Sequence, residues 1–215
     1  TLMDSEAHIV ASIQHAMQTM DLDIQSRDQI KNVIGLGMRE AIFTLFHEHV
    51  GEDFIEQFID GYRQHFFKED NPQQLFPDAR ETLESLSEQG YLLAVATGKS
   101  RRGLNMALAE TGLASLFHSS RCADETRSKP HPVMLQEILE ELSITSSEAI
   151  MIGDTEYDLE MAQKAGTFSI AANYGVHEPA RLLKYNPLAT IDTVTELQDI
   201  RSILDDDKNS QYQTR

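Results

Sequence analysis

The chain has 215 residues, enough for one large domain or a domain with a smaller partner, and enough to bury a substantial core. Its 35 Asp and Glu against 18 Lys and Arg leave a net charge of −17, which excludes a broad nucleic-acid surface and disfavours an anionic membrane. A single cysteine, Cys122, excludes an intramolecular disulfide. No stretch approaches the ~20 apolar residues of a membrane span, and Asp4 and Glu6 interrupt any signal-like apolar run, so a cytoplasmic protein is expected. Any anionic substrate must be met by a few local cations working against the global field.

Thr1 to Ser5 reads as a loop. Ile9, Ile13, Ala16, Met17 and Met20 form an apolar stripe that predicts a helix from Glu6 to about Met20. Ser26 caps a second helix to about Ile34, Gly35-Leu36-Gly37 breaks the pattern, and a third helix runs from Arg39 to about His49. After Gly51 a fourth is predicted from Asp53 to Phe67, with Phe54, Phe58, Tyr62 and Phe66 in step. Asn71-Pro72 and Phe76-Pro77 then mark a boundary.

Beyond it the pattern alternates. Helices are predicted over 78–89, 103–111 and 132–142, then one ending at 166 with Asp158 in its first turn, and one over 194–204; strands are predicted over 91–96, 117–121, 149–152, 168–172 and 189–191. Alternation of this kind predicts a doubly wound parallel sheet, Rossmann-like, covered by helices on both faces and preceded by an all-helical unit. The polar residues 205–215 are expected to be a disordered tail.

Three strand ends carry the chemistry. Ile150-Met151-Ile152-Gly153-Asp154 places Asp154 just past a buried strand, and Asp158 falls in the first turn of the next helix. Four residues apart, the two carboxylates point the same way, roughly 6 Å apart at Cβ, and hard oxygens there suit magnesium. The same residues also read as a cap, with Thr155 at the N-cap and Asp158 at N3. Thr97-Gly98-Lys99-Ser100 follows another strand. It is not a P-loop, because Leu93 stands where that motif needs a glycine. It is either a phosphate-gripping turn at a helix amino end or a plain turn with Ser100 as N-cap. In Lys129-Pro130-His131-Pro132 the first proline keeps Lys129 out of helical dihedrals, so its ammonium either faces a site or lies on the surface. No H-E-x-x-H occurs and His47-Glu48-His49 is spaced wrongly for one helix face, which argues against zinc; there is no G-x-S-x-G elbow either.

Taken in order, Thr97, Lys129 before a proline, and Gly153-Asp154 with Asp158 resemble the motifs of the haloacid dehalogenase superfamily. Phe76-Pro77-Asp78, Ala96-Thr97-Gly98-Lys99-Ser100 and Ser128-Lys129-Pro130-His131-Pro132 are similar to its phosphoglycolate phosphatase-like branch. The resemblance covers nearly the whole chain. It implies an α/β core over 76–204 with an inserted helical cap over 8–75, and a Mg²⁺-dependent phosphatase acting on a small phosphate monoester. Asp154 and Asp158 would serve the metal, Thr97, Gly98 and Lys99 the phosphate, and Thr97 and Lys129 the catalysis. Gly35-Leu36-Gly37 would be the substrate loop of the cap. Expected partners are the phosphorylated substrate and no nucleic acid or membrane, with the protein a monomer or homodimer. A phosphoglucomutase-like transferase or a dehalogenase lies within the same resemblance, and a binding protein that keeps the fold without catalysis is the alternative from another class.

One departure is large. The family opens on D-x-D-G-T-L-x-D-S, and Thr1-Leu2-Met3-Asp4-Ser5 matches only its tail, so residues 1–7 read as a remnant of that motif. The nucleophilic and acid–base aspartates would stand four and two positions ahead of Thr1. Asp4 corresponds to the later aspartate of the signature and cannot replace them. A polypeptide of these residues alone is expected to be inactive and poorly stable.

Overall fold

The computed structural model describes residues 1–47, 50–68 and 74–201. The expected end of the third helix, Asn71-Pro72, the end of the last helix and the tail over 205–215 lie outside them.

The chain opens with a two-residue strand, Met3–Asp4 (β1), where the sequence predicts a loop. Helices follow at Glu6–Thr19 (α1), Arg27–Lys31 (α2), Met38–Phe46 (α3) and Glu52–Phe66 (α4). Ser26 closes a capping box with Gln29 at the head of α2, as a serine at N-cap should. That helix ends three residues before the predicted Ile34, because residues 32–36 turn over tightly and lie against the rest of the molecule. The four helices share one core. Ile13, Ala16 and Met17 of α1 pack with Ile30, Ile42, Ile55 and Phe58, all nearly or fully buried. Gly61 lets α4 approach α1 closely, since a Cβ there would stand 3.1 Å from the Ala16 Cα. The aromatic step predicted for α4 is present, with Phe54, Phe58 and Phe46 in mutual ring contact.

The strand Gln74–Leu75 (β2) pairs antiparallel with β1, Met3 opposite Leu75, so both ends of the helical unit are stitched together where they leave the core. Period reasoning cannot find strands of two residues. The core then alternates: Ala79–Glu88 (α5), Leu93–Thr97 (β3), Arg101–Thr111 (α6), Phe117–Cys122 (β4), Val133–Leu142 (α7), Ile150–Gly153 (β5), Glu156–Ala165 (α8), Phe168–Ala172 (β6), Pro179–Leu182 (α9) and Ala189–Ile191 (β7). Val194–Asp199 is a 3₁₀ segment, not the predicted start of an α-helix, although Thr193 and Glu196 form a capping box at its head. Gly112 and Gly166 end α6 and α8 in the left-handed conformation that glycine takes without a Cβ penalty.

The parallel α/β core with a helical cap is the architecture that forms. Its sheet is divided, however. β3 pairs with β4, and β5, β6 and β7 form a separate ladder. Between them runs a cavity of about 840 Å³ whose walls include Leu93, Val95, Ile150 and Ile152. No described residue takes the position between β3 and β5. Among the described residues no helix is long and apolar enough to cross a membrane.

Candidate active site

The carboxyl ends of β3 and β5 face each other across this cavity, and each delivers a loop into a helix. At the end of β5, Gly153 is required by its neighbour: a Cβ there would fall 2.2 Å from the Asp158 Cβ. Asp154 follows, 5 % exposed. Its Oδ1 lies 2.8 Å from the Thr1 amine and accepts from the Thr1 hydroxyl at 2.5 Å, while Oδ2 accepts from the Val176 N–H at 3.1 Å. Burial pushes this carboxyl upward, but the Thr1 ammonium and those hydrogen bonds outweigh it and hold the group well below the usual carboxylate range.

Asp158 is 2 % exposed and does two things at once. Oδ2 accepts from the backbone N–H and hydroxyl of Thr155, at 3.1 and 2.8 Å, completing the capping box of α8. Oδ1 meets the Lys129 Nζ at 2.5 Å. Lys129 is itself 6 % exposed, so this ion pair is buried and not a surface contact. Asp158 thus caps α8 with one oxygen and meets a lysine with the other.

At the end of β3, the Thr97 Oγ1 accepts from the Lys99 N–H at 3.1 Å, which leaves the hydroxyl proton free to donate elsewhere. Ser100 caps α6 by accepting from the Gly103 N–H. Gly98 is open to the cap: a Cβ there would stand 2.5 Å from the Leu36 carbonyl oxygen and 2.7 Å from that of Gly35. The Lys99 Nζ lies 5.1 Å from the centre of the Phe66 ring of the cap. Burial lowers its pKa from 10.5 to about 8, with Glu110 opposing. Thr97, Gly98, Lys99, Lys129, Asp154 and Asp158 all line the one cavity, together with Gly35 and Leu36.

Several residues beside them carried no readable signal. Gly175 and Val176 cradle Asp154, and a Cβ on Gly175 would stand 2.1 Å from the Asp154 Cβ. His177 donates its backbone N–H to the Asp154 carbonyl at 3.0 Å. The only hint was a Gly after Asn173-Tyr174 at the end of β6, which suggests a turn and nothing more. Ser128 sat inside a motif, and its contact with Gly37 became visible only in three dimensions.

A family described as haloacid dehalogenase-like hydrolase matches residues 1–172. The chain belongs to this family. It is 31 % identical over 201 residues to the Probable phosphatase IndB of Dickeya dadantii, covering 92 % of this chain and 87 % of that protein. The Pyrophosphatase PpaX of Bacillus cereus is 29 % identical over 206 residues, 94 % of this chain and 92 % of its own. A crystal structure of a predicted phosphoglycolate phosphatase from Haemophilus somnus superposes with a TM-score of 0.83 at 23 % identity, over 94 % of this chain and 93 % of that one, and shows the fold. Membership of the family, with phosphatases among these relatives, agrees with the branch to which the motifs pointed.

Asp154 suits a magnesium ion. Mg²⁺ is held by one or two carboxylates and completes its shell with water and phosphate oxygens. Asp154 offers one buried carboxylate just past the end of β5. Asp158 is committed to Lys129 and Thr155. Among the described residues no group of three or more acidic, histidine or cysteine side chains is gathered to hold a metal by itself.

Proposed function

We propose that this hydrolase is a Mg²⁺-dependent phosphatase of small phosphate monoesters, phosphoglycolate-like, acting in the cytoplasm. The observation that carries the reading is that the Thr97 hydroxyl, the buried Lys129–Asp158 pair and the buried Asp154 line one cavity at the ends of β3 and β5. Thr97 donates its hydroxyl proton to an oxygen of the transferring phosphoryl group. Asp158 fixes the Lys129 ammonium, whose remaining N–H groups face developing negative charge. Asp154 would hold the metal, which supplies charge neutralisation on the phosphoryl oxygens when bound. The Gly35-Leu36-Gly37 loop lies over Gly98 and excludes water from the same spot.

The reading calls for a carboxylate nucleophile. The relatives named as pyrophosphatases favour inorganic pyrophosphate as a second substrate to test. The test is release of phosphate from a panel of monoesters and pyrophosphate, with and without Mg²⁺, by protein carrying the whole opening signature. Asp154→Ala should lose at least a hundredfold in rate; full activity in that variant would overturn the metal assignment.

A further inference from the structure

A closed ring of contacts joins the cap loop to the ion pair of the site. The Gly37 N–H of the cap donates to the Ser128 Oγ at 2.6 Å, and Ser128 is only 6 % exposed. Ser128 precedes Lys129, whose ammonium holds Asp158. Beside Asp158, the Tyr157 hydroxyl donates to the Asn32 carbonyl at 2.5 Å, which returns to the cap five residues before Gly37. Arg181, itself held by Glu156, donates to the Asn32 Oδ1 at 2.5 Å. Midway, Gly35 presses on the capping residue Thr155: a Cβ there would stand 2.7 Å from the Thr155 Oγ1, and φ is +107°. Residues 32–37 thus form a strap fastened at both ends, and the two fasteners sit one residue from Lys129 and one residue from Asp158.

We infer that Ser128 and Tyr157 are positioning residues that clasp the 32–37 strap, so that docking of the cap sets the Lys129–Asp158 pair in its working geometry. Neither side chain touches the reacting groups in the proposed reaction. The part of the inference that concerns activity rests on the phosphatase reading; the clasp itself does not. In a ring, release at one fastener frees the other, because the short strap holds its register only when both ends are held.

Amide hydrogen exchange on the full-length protein tests this, with Ser128→Ala, Tyr157→Phe and the conservative Ser128→Thr. Either of the first two should raise exchange about tenfold along the whole of 32–37, including Gly37 in Tyr157→Phe, whose lost hydroxyl lies at the far end. Ser128→Thr should restore protection. With Mg²⁺ and a monoester that the parent protein hydrolyses, kcat should fall about tenfold in the first two while KM moves less than threefold. Exchange raised only at the amide next to each substitution, or a strap already unprotected in the parent, would overturn the clasp. A parent protein that hydrolyses no ester yet shows the concerted exchange would sink the phosphatase reading and leave the clasp standing.

Discussion

At the scale of single residues, the buried Lys129–Asp158 pair is the feature with the largest energetic consequence. Its Coulombic gain repays two desolvation penalties only while both partners are present. Lys129→Met strands the Asp158 carboxylate in a site it shares with Asp154, and should cost about 3–5 kcal/mol in urea unfolding. Lys129→Met with Asp158→Leu should cost less than the single change, although α8 then loses its N3 cap. A single-variant cost below about 1 kcal/mol would mean that the charges are not buried together. Lys99 differs, because burial outweighs the opposing charge of Glu110 and lowers its pKa. Its folded pKa of about 8 lies below the unfolded value of 10.5, so between these pH values the unfolded chain binds the extra proton. Stability should therefore rise with pH across that window, and Lys99→Met should abolish the rise. If the ammonium also attracts the substrate, kcat/KM falls above about pH 8, and Lys99→Arg shifts that fall to higher pH. An alkaline limb unchanged in Lys99→Arg would remove Lys99 from phosphate binding.

At the scale of elements, the cap has a core of its own that can be weakened separately. Phe58 is fully buried among Phe46, Phe54 and the apolar faces of α1 and α3. Phe58→Ala should cost about 3–5 kcal/mol. The loss should appear as faster amide exchange in α1 and α4 while β5 and β6 keep their protection, since their core is built from other residues. Uniform acceleration would show that cap and core unfold as one unit. The helical faces were legible because apolar residues recur at helical spacing, and the strand ends were legible because glycine and aspartate interrupt short apolar runs. What could not be read is anything set by register between distant segments. β1 and β2 exist only because the two ends of the cap meet, and α2 stops at Lys31 because Asn32 is held by Tyr157 and Arg181, more than a hundred residues away in the chain. The cradle of Asp154 by Gly175 and Val176 belongs to the same class. Thr97, Lys129 and Asp154 were legible through the order of their motifs, but the pairing of Lys129 with Asp158 was not.

At the scale of the whole molecule, the divided sheet is the feature that physical chemistry tolerates least. The inner edges of β3 and β5 present backbone N–H and C=O groups to an apolar cavity of about 840 Å³, and buried backbone groups are almost always paired. The cavity is lined by residues of both β3 and β5, with leucine, valine, isoleucine and alanine over most of its walls. An extended apolar segment running parallel to β3 and β5 would satisfy both edges and remove those walls from water. The Thr1 amine stands beside Asp154, at the rim where the carboxyl ends of the strands lie, so residues joined ahead of Thr1 would enter this slot from the far end and reach the site at their own carboxyl end. A polypeptide of these 215 residues should accordingly unfold at low urea concentration. The same polypeptide extended by an apolar strand ending in Asp-x-Asp-Gly should unfold at a clearly higher urea concentration and gain Mg²⁺-dependent phosphate release. An Asn-x-Asn-Gly version separates the two effects: it should keep the gain in stability, which comes from strand pairing, and lose the activity, which needs the carboxylates. If the extension changed neither the unfolding midpoint nor the protection of β3 and β5 amides, the slot would not be a strand site.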